Sequence, residues 1–179
     1  FFSIDLREEV RARQIKSLVI WFAGHGKFIN DVGYWIPVDA RRDEEFTYYS
    51  LNTLKASMET YMNYLTHVLV VTDACESGPS FYQAMRSDVK SRNCADWKAT
   101  QFKSSQVLSS AGYELAVDDS QFTRTFVNAL RGNPNTCISI DEIATQVTKA
   151  VSQNNRQKPK FGKITGLKDE DGTFFFVKK

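Results

Sequence analysis

The sequence predicts an α/β sandwich with a largely parallel central sheet, and three observations carry that expectation. Two continuous apolar runs, Leu18-Val19-Ile20-Trp21-Phe22 and Val68-Leu69-Val70-Val71, have the length of strands buried on both faces. Segments of helical spacing lie between the strand candidates, and strands alternating with helices build a parallel sheet with helices packed against it. A chain of 179 residues also suffices for one domain with a single sizeable core.

Taken in order, Asp5-Leu6-Arg7-Glu8 predicts an N-cap with an acidic residue three positions on, opening an amphipathic helix to about Gln14. The first apolar run is expected to stop at Ala23-Gly24-His25-Gly26. Tyr34-Trp35-Ile36-Pro37-Val38 is a shorter strand, with Pro37 suggesting an edge. Arg41 to Glu45 is a solvated loop. Apolar residues then recur at helical spacing at Leu51, Leu54, Met58, Tyr61, Met62 and Leu65, with Ser50 as the cap.

The second apolar run leads into Asp73-Ala74-Cys75-Glu76-Ser77-Gly78. Residues 79 to 104 are polar and irregular, with a short helix expected around Phe81 to Met85. Gln106 to Ser110 is a third strand, and Phe122 to Leu130 a helix that ends near Gly132 and Pro134. Ser139-Ile140-Asp141-Glu142 is a capping box for a helix through Val151. Phe161 to Ile164 and Phe174 to Val177 are closing strands joined by a charged, Gly-containing loop. There is no internal repeat.

Composition narrows the function. A hydrophobic fraction of 42% and a charged fraction of 25% are those of an ordinary globular protein. A net charge of +2 does not point to a nucleic-acid surface, for which a concentrated basic stripe is expected. No apolar run approaches the roughly 20 residues of a membrane helix, and no signal-peptide pattern is seen. Three scattered cysteines do not make a disulfide framework, so a reducing cytoplasm is expected, with Cys94 and Cys137 incidental.

In open α/β sheets, ligands bind at the carboxyl ends of the strands. Both apolar runs end there in polar, small-residue segments, the first at His25 and the second at Cys75. If the two strands are neighbours, about 4.8 Å apart, a thiol and an imidazole emerge side by side, as a nucleophile beside a base. The thiolate would attack a carbonyl carbon and the imidazole would protonate the leaving amine. Gly24 and Gly26 would let backbone approach a substrate, and the N–H groups of Gly26 and Cys75 could face a developing oxyanion. The alternative is a small core residue, the commoner fate of a cysteine after an apolar strand. A metal site finds little support in two histidines 42 positions apart without a Cys-x-x-Cys pair. Ala23-Gly24-His25-Gly26-Lys27 lacks the spacing of a phosphate-binding loop. His67 precedes its strand, belongs at the opposite edge of the sheet, and is expected to be structural.

The segments Val19-Ile20-Trp21-Phe22-Ala23-Gly24-His25-Gly26 and Val70-Val71-Thr72-Asp73-Ala74-Cys75-Glu76-Ser77-Gly78 resemble the two signature motifs of the caspase-like (clan CD, peptidase family C14) cysteine peptidases, most closely bacterial caspase homologues and metacaspases. Cys75 follows His25 by 50 residues, the spacing found in caspases. The resemblance extends to Tyr34–Ala40, Leu108–Glu114, Phe122-Thr123-Arg124, Lys158–Gly162 and Phe174–Val177, nearly the whole chain. It implies a caspase-like three-layer α-β-α sandwich with a mostly parallel central sheet. His25 and Cys75 would be the dyad, and Gly26 and Cys75 the oxyanion donors. The substrate would be a protein or peptide, cleaved through a covalent acyl-enzyme. By analogy, a regulated role in bacterial defence or a cell-death-type pathway is expected.

Two departures matter. Caspases carry Gln where this chain has Asp73, a feature shared with metacaspases, and Glu76 replaces the His usual in metacaspases. A carboxylate at Asp73, with Glu114 and Asp118 nearby, would pair with Arg or Lys at the cleavage position. Alternatively, Glu114, Asp118 and Asp119 form only a solvated acidic loop. No cofactor is expected, although some metacaspase-like enzymes need calcium. The family's sheet begins with a strand, a helix and a second strand upstream of the helix at Asp5. Residues 1–179, which open on Phe1-Phe2, are therefore expected to be a caspase-like domain within a longer or processed protein. An N-terminal fragment or a fused sensor or effector domain is the expected partner. The remaining alternatives are a catalytically silent interaction domain and a non-peptidase hydrolase, the latter without its Gly-x-Ser-x-Gly motif here.

Overall fold

The chain enters through α1 (Asp5–Ala12) and continues into β1 (Ser17–Ile29), a strand of 13 residues with two different partners. Its first half pairs in parallel with β4 (His67–Ala74), and its second half pairs antiparallel with β2 (Val32–Ile36). The expected stop at Gly24 does not occur. Asn30 and Asp31 both take left-handed backbone conformations, φ 48° and 63°, which is the two-residue turn whose twist suits a hairpin. That turn folds β2 back onto residues 25–29, so the strand runs through the glycines. The computed structural model describes residues 1–74, 82–83 (backbone), 92–110, 120–154 and 158–178.

The remaining elements are β3 (Tyr49–Ser50), α2 (Leu51–Glu59), β5 (Tyr82–Gln83), α3 (Trp97–Gln101), β6 (Ser104–Ser109), α4 (Gln121–Gly132), β7 (Cys137–Ser139), α5 (Ile140–Asn154), β8 (Lys160–Ile164) and β9 (Phe175–Val177). The main sheet has the order β3-β2-β1-β4-β6-β8-β5. Its centre, β1-β4-β6, is parallel as expected, and antiparallel strands flank it on both sides. β9 does not join β8; it pairs with β7 in a separate two-stranded sheet.

Every residue of β4 is buried, and alternation sends its side chains to opposite faces. Val68 and Val70 meet Leu54 and Met58 of α2 and Val10 of α1 in one apolar cluster. Leu69 and Val71 meet Phe122 and Phe126 of α4 and Ile143 and Val147 of α5 in a second. Two cores on two faces make the three-layer α-β-α sandwich. β1 is less covered than expected, with Val19 38% and Trp21 39% exposed. Among the described residues only β4 pairs with Ser17–Gly24, which leaves that half of β1 at an edge.

Local sequence signals account for most of the helix starts. Ser50 Oγ accepts from Asn52 N at 3.2 Å, and Ser139 Oγ from Glu142 N at 3.1 Å, as the capping patterns require. Asp5 is not a cap: Ile4 holds that position, and Asp5 lies in the first turn, where its charge suits the helix dipole. Of the helix expected at Phe81 to Met85, Phe81, Ala84 and Met85 lie outside the described residues. Tyr82–Gln83 is a strand that pairs with β8.

Candidate active site

The parallel register of β1 on β4 ends with Gly24 opposite Ala74. His25 is the next residue of β1, where the parallel ladder gives way to the hairpin with β2, and Cys75 is the next residue in sequence after β4. His25 is exposed and stands opposite Ile36 in the β1–β2 hairpin. Along β1, alternation carries it to the same face as Trp21, whose ring meets Phe126 of α4 edge-on at 4.8 Å. Cys75 lies outside the described residues.

The hairpin also orients the backbone of Gly26. In an antiparallel ladder, pairs that exchange hydrogen bonds alternate with pairs that do not, and the pair flanking a two-residue turn exchanges them. Here that pair is Ile29 and Val32, so Lys27–Tyr34 and His25–Ile36 are bonded pairs as well, while Gly26–Trp35 is a non-bonded one. The N–H of Gly26 is thus directed away from β2, toward the side on which β4 lies. There it passes the last registered pair, Gly24–Ala74. Gly24 itself has a packing reason. A Cβ there would come within 3.1 Å of the Phe22 ring, which stacks on Trp35 at 4.4 Å. Trp35 Nε1–H in turn donates to Thr72 Oγ1 of β4 at 3.1 Å, binding the hairpin to the central strand.

Asp73 is 6% exposed on β4, on the face that α4 covers. A buried carboxylate needs hydrogen bonds, and α4 supplies two. Thr123 Oγ1–H donates to Asp73 Oδ2 at 2.6 Å, and Ser120 Oγ–H donates to the same oxygen. Ser120 also caps α4, its Oγ accepting from Thr123 N at 3.2 Å. Asp73 therefore anchors the start of α4 to the end of β4. Ser110, just past β6, donates its N–H to Thr72 O at 2.9 Å. Its buried Oγ has no hydrogen-bond partner among the described residues.

Of the residues expected at the site, His25 and Gly26 thus lie within β1 just past its parallel ladder with β4, and Asp73 lies at the carboxyl end of β4. Glu114 and Asp118, like Cys75, lie outside the described residues. No functional role for Ser120 or Thr123 follows from the sequence, although a Ser ahead of an apolar helical run, as at Ser120, is itself a capping signal. His67 is structural, as expected. At the amino end of β4 its Nε2–H donates to Thr100 O at 2.7 Å, and its Nδ1 accepts from Ser104 Oγ at 2.9 Å. Burial pushes its pKa below the usual histidine value; the bond to Thr100 opposes this in part, and Lys103 adds to it.

The expectation for the other two cysteines is corrected. Cys94, ahead of α3, and Cys137, at the start of β7, form a disulfide with Cα atoms 6.4 Å apart. They are 43 residues apart in sequence, and only the fold brings them together. The chain has three cysteines, so Cys75 has no cysteine left within it to pair with. No helix among the described residues is long and apolar enough to cross a membrane, and no cluster of three metal-ligating side chains occurs among them.

No curated protein matches the chain. The model of the caspase domain family matches residues 5–168, from the start of α1 to just beyond β8. That match covers most of the chain, both signature segments, and the three-layer sandwich with its central β1-β4-β6 sheet. The chain belongs to the caspase domain family of cysteine peptidases.

Proposed function

We propose that His25 and Cys75 are the catalytic dyad of an endopeptidase that cleaves after Arg or Lys. The observation that carries this reading is the β1–β4 register ending at Gly24 and Ala74, one residue short of both. Cys75 Sγ, as thiolate, attacks the carbonyl carbon of the scissile bond. The resulting oxyanion is held by the N–H groups of Gly26 and Cys75. As the tetrahedral species collapses, the C–N bond breaks, and His25 gives its proton to the departing amine, leaving a thioester on Cys75. A water then loses a proton to His25, attacks the thioester carbonyl and releases the carboxylic product, which restores the thiol–imidazole pair. The direction of the Gly26 N–H supports its oxyanion role, and the odd cysteine count supports a free thiol at Cys75.

Asp73, a buried carboxylate two residues before the nucleophile, is the reason to favour a cationic side chain at the cleavage position, with Arg engaged bidentately. The same residue supports a reading nearer the metacaspases than the animal caspases. Glu114 and Asp118 add negative charge to the same pocket in this reading. The chemistry needs no cofactor, and activity unchanged by EDTA would separate it from the calcium-dependent members. The half of β1 with a single described partner suits an added strand from an upstream segment or fused domain. Unpaired cysteines would support a cytoplasmic location. The Cys94–Cys137 bond removes that ground, because such bonds persist mainly in oxidising compartments.

Alkylation tests the dyad. Iodoacetamide at neutral pH, followed by peptide mapping, is expected to label Cys75 fast in the wild type and slowly in His25→Ala, since the imidazole raises the thiolate fraction. Labelling of Cys75 at one rate in both proteins would remove His25 from the site.

A further inference from the structure

We propose that Ser120 and Thr123 are positioning residues for substrate selection. Their hydroxyls hold the Asp73 carboxylate in the rotamer that reads a basic side chain. This inference rests on Asp73 being the recognition carboxylate and deepens that reading.

Both hydroxyl donors converge on one oxygen, Asp73 Oδ2, at 2.6 Å from Thr123 Oγ1 and within hydrogen-bonding distance of Ser120 Oγ. A carboxylate bonded through one oxygen from two directions cannot turn about its Cβ–Cγ bond without losing a donor. Neither hydroxyl takes Oδ1, which stays available to a cation as far as these two donors are concerned.

The arrangement is coupled to the backbone. Ser120 Oγ accepts from Thr123 N while its proton goes to Asp73, so cap and carboxylate share one hydroxyl. α4 is fixed in turn by Phe122 and Phe126, buried in the second core. The position of Asp73 is thereby tied to a rigid helix, the kind of support that a charge-reading pocket requires. Ser120 is also the residue at which the segment containing Glu114 and Asp118 rejoins the helix in sequence.

A carboxylate with only an architectural task would have the same bonds, so the test reads selectivity. For the protein and its variants, kcat and KM are measured on matched peptides ending in Arg or in citrulline, its neutral isostere. Hydrogen bonds to a charged group are worth about tenfold or more in an equilibrium. Thr123→Val is therefore expected to raise KM for the Arg peptide about tenfold, with a smaller change in kcat and little change for citrulline. Thr123→Ser, which keeps the hydroxyl, should restore the preference. Should Thr123→Val fail to fold, Ser120→Ala is read in the same way, with the Thr123 hydroxyl still in place. A wild type that cleaves both peptides equally would defeat the recognition role of Asp73 itself. A wild type that prefers Arg, with variants that keep the full preference, would overturn the positioning role alone.

Discussion

Gly24 stands opposite Ala74 in the last pair of the parallel β1–β4 ladder, and the chain continues from these two residues to His25 and Cys75. Neighbouring parallel strands lie about 4.8 Å apart, so Gly24 and Ala74 hold the two backbones side by side where the ladder ends. The hairpin made by β1 and β2 then holds His25 on an ordered strand, with Phe22, Trp35 and Thr72 packed and bonded beneath it.

From this placement, His25→Ala should lower kcat/KM by about 10²- to 10⁴-fold, the usual contribution of a general acid–base residue. Circular dichroism should report an unchanged fold, because His25 is exposed. Loss of folded protein in place of loss of rate would assign His25 a structural task.

The disulfide is placed for stability. Cys94 precedes α3, and α3 leads into the amino end of β6, the edge of the sheet opposite His25. The Cys94→Ser/Cys137→Ser protein should lose about 2 to 4 kcal/mol of unfolding free energy while its kcat/KM stays unchanged. Urea titration measures the first and peptide cleavage the second. In the unreduced native protein a thiol assay should find a single free cysteine, at Cys75.

His67 sets a pH dependence of stability. Burial holds its folded pKa below the ordinary 6.5. Between the folded value and 6.5 the unfolded chain therefore binds more protons, and stability rises with pH across that window. The melting temperature should be level above about pH 6.5 and fall as the solution is acidified below it. His67→Asn should lose that component of the acid sensitivity, as scanning calorimetry at pH 7.5 and 5.5 would show.

Much of this was legible in the sequence because burial and capping leave local marks. Val68–Val71 reads as a fully buried strand, and every residue of β4 is buried. Ser50 and Ser139 read as caps, and both bond as caps do. The glycines around His25 misled, because Gly-rich sequence marks a strand end more often than the middle of a long hairpin strand. Asn30-Asp31 was the signal that could have corrected it. β5 and β7, of two and three residues, are too short to show any period. The Cys94–Cys137 bond and the attachment of Ser120 and Thr123 to Asp73 join residues 43 to 50 positions apart. No local pattern records contacts of that kind; they exist only once the sheet has brought the elements together.

The most direct test of the central claim is initial-rate cleavage of fluorogenic peptides ending in Arg, Lys or Asp, with wild type beside Cys75→Ala. The account predicts cleavage after Arg and Lys, none after Asp, and no activity in the variant. Cleavage after Asp alone would contradict the role given to Asp73, and activity that survives Cys75→Ala would contradict the dyad.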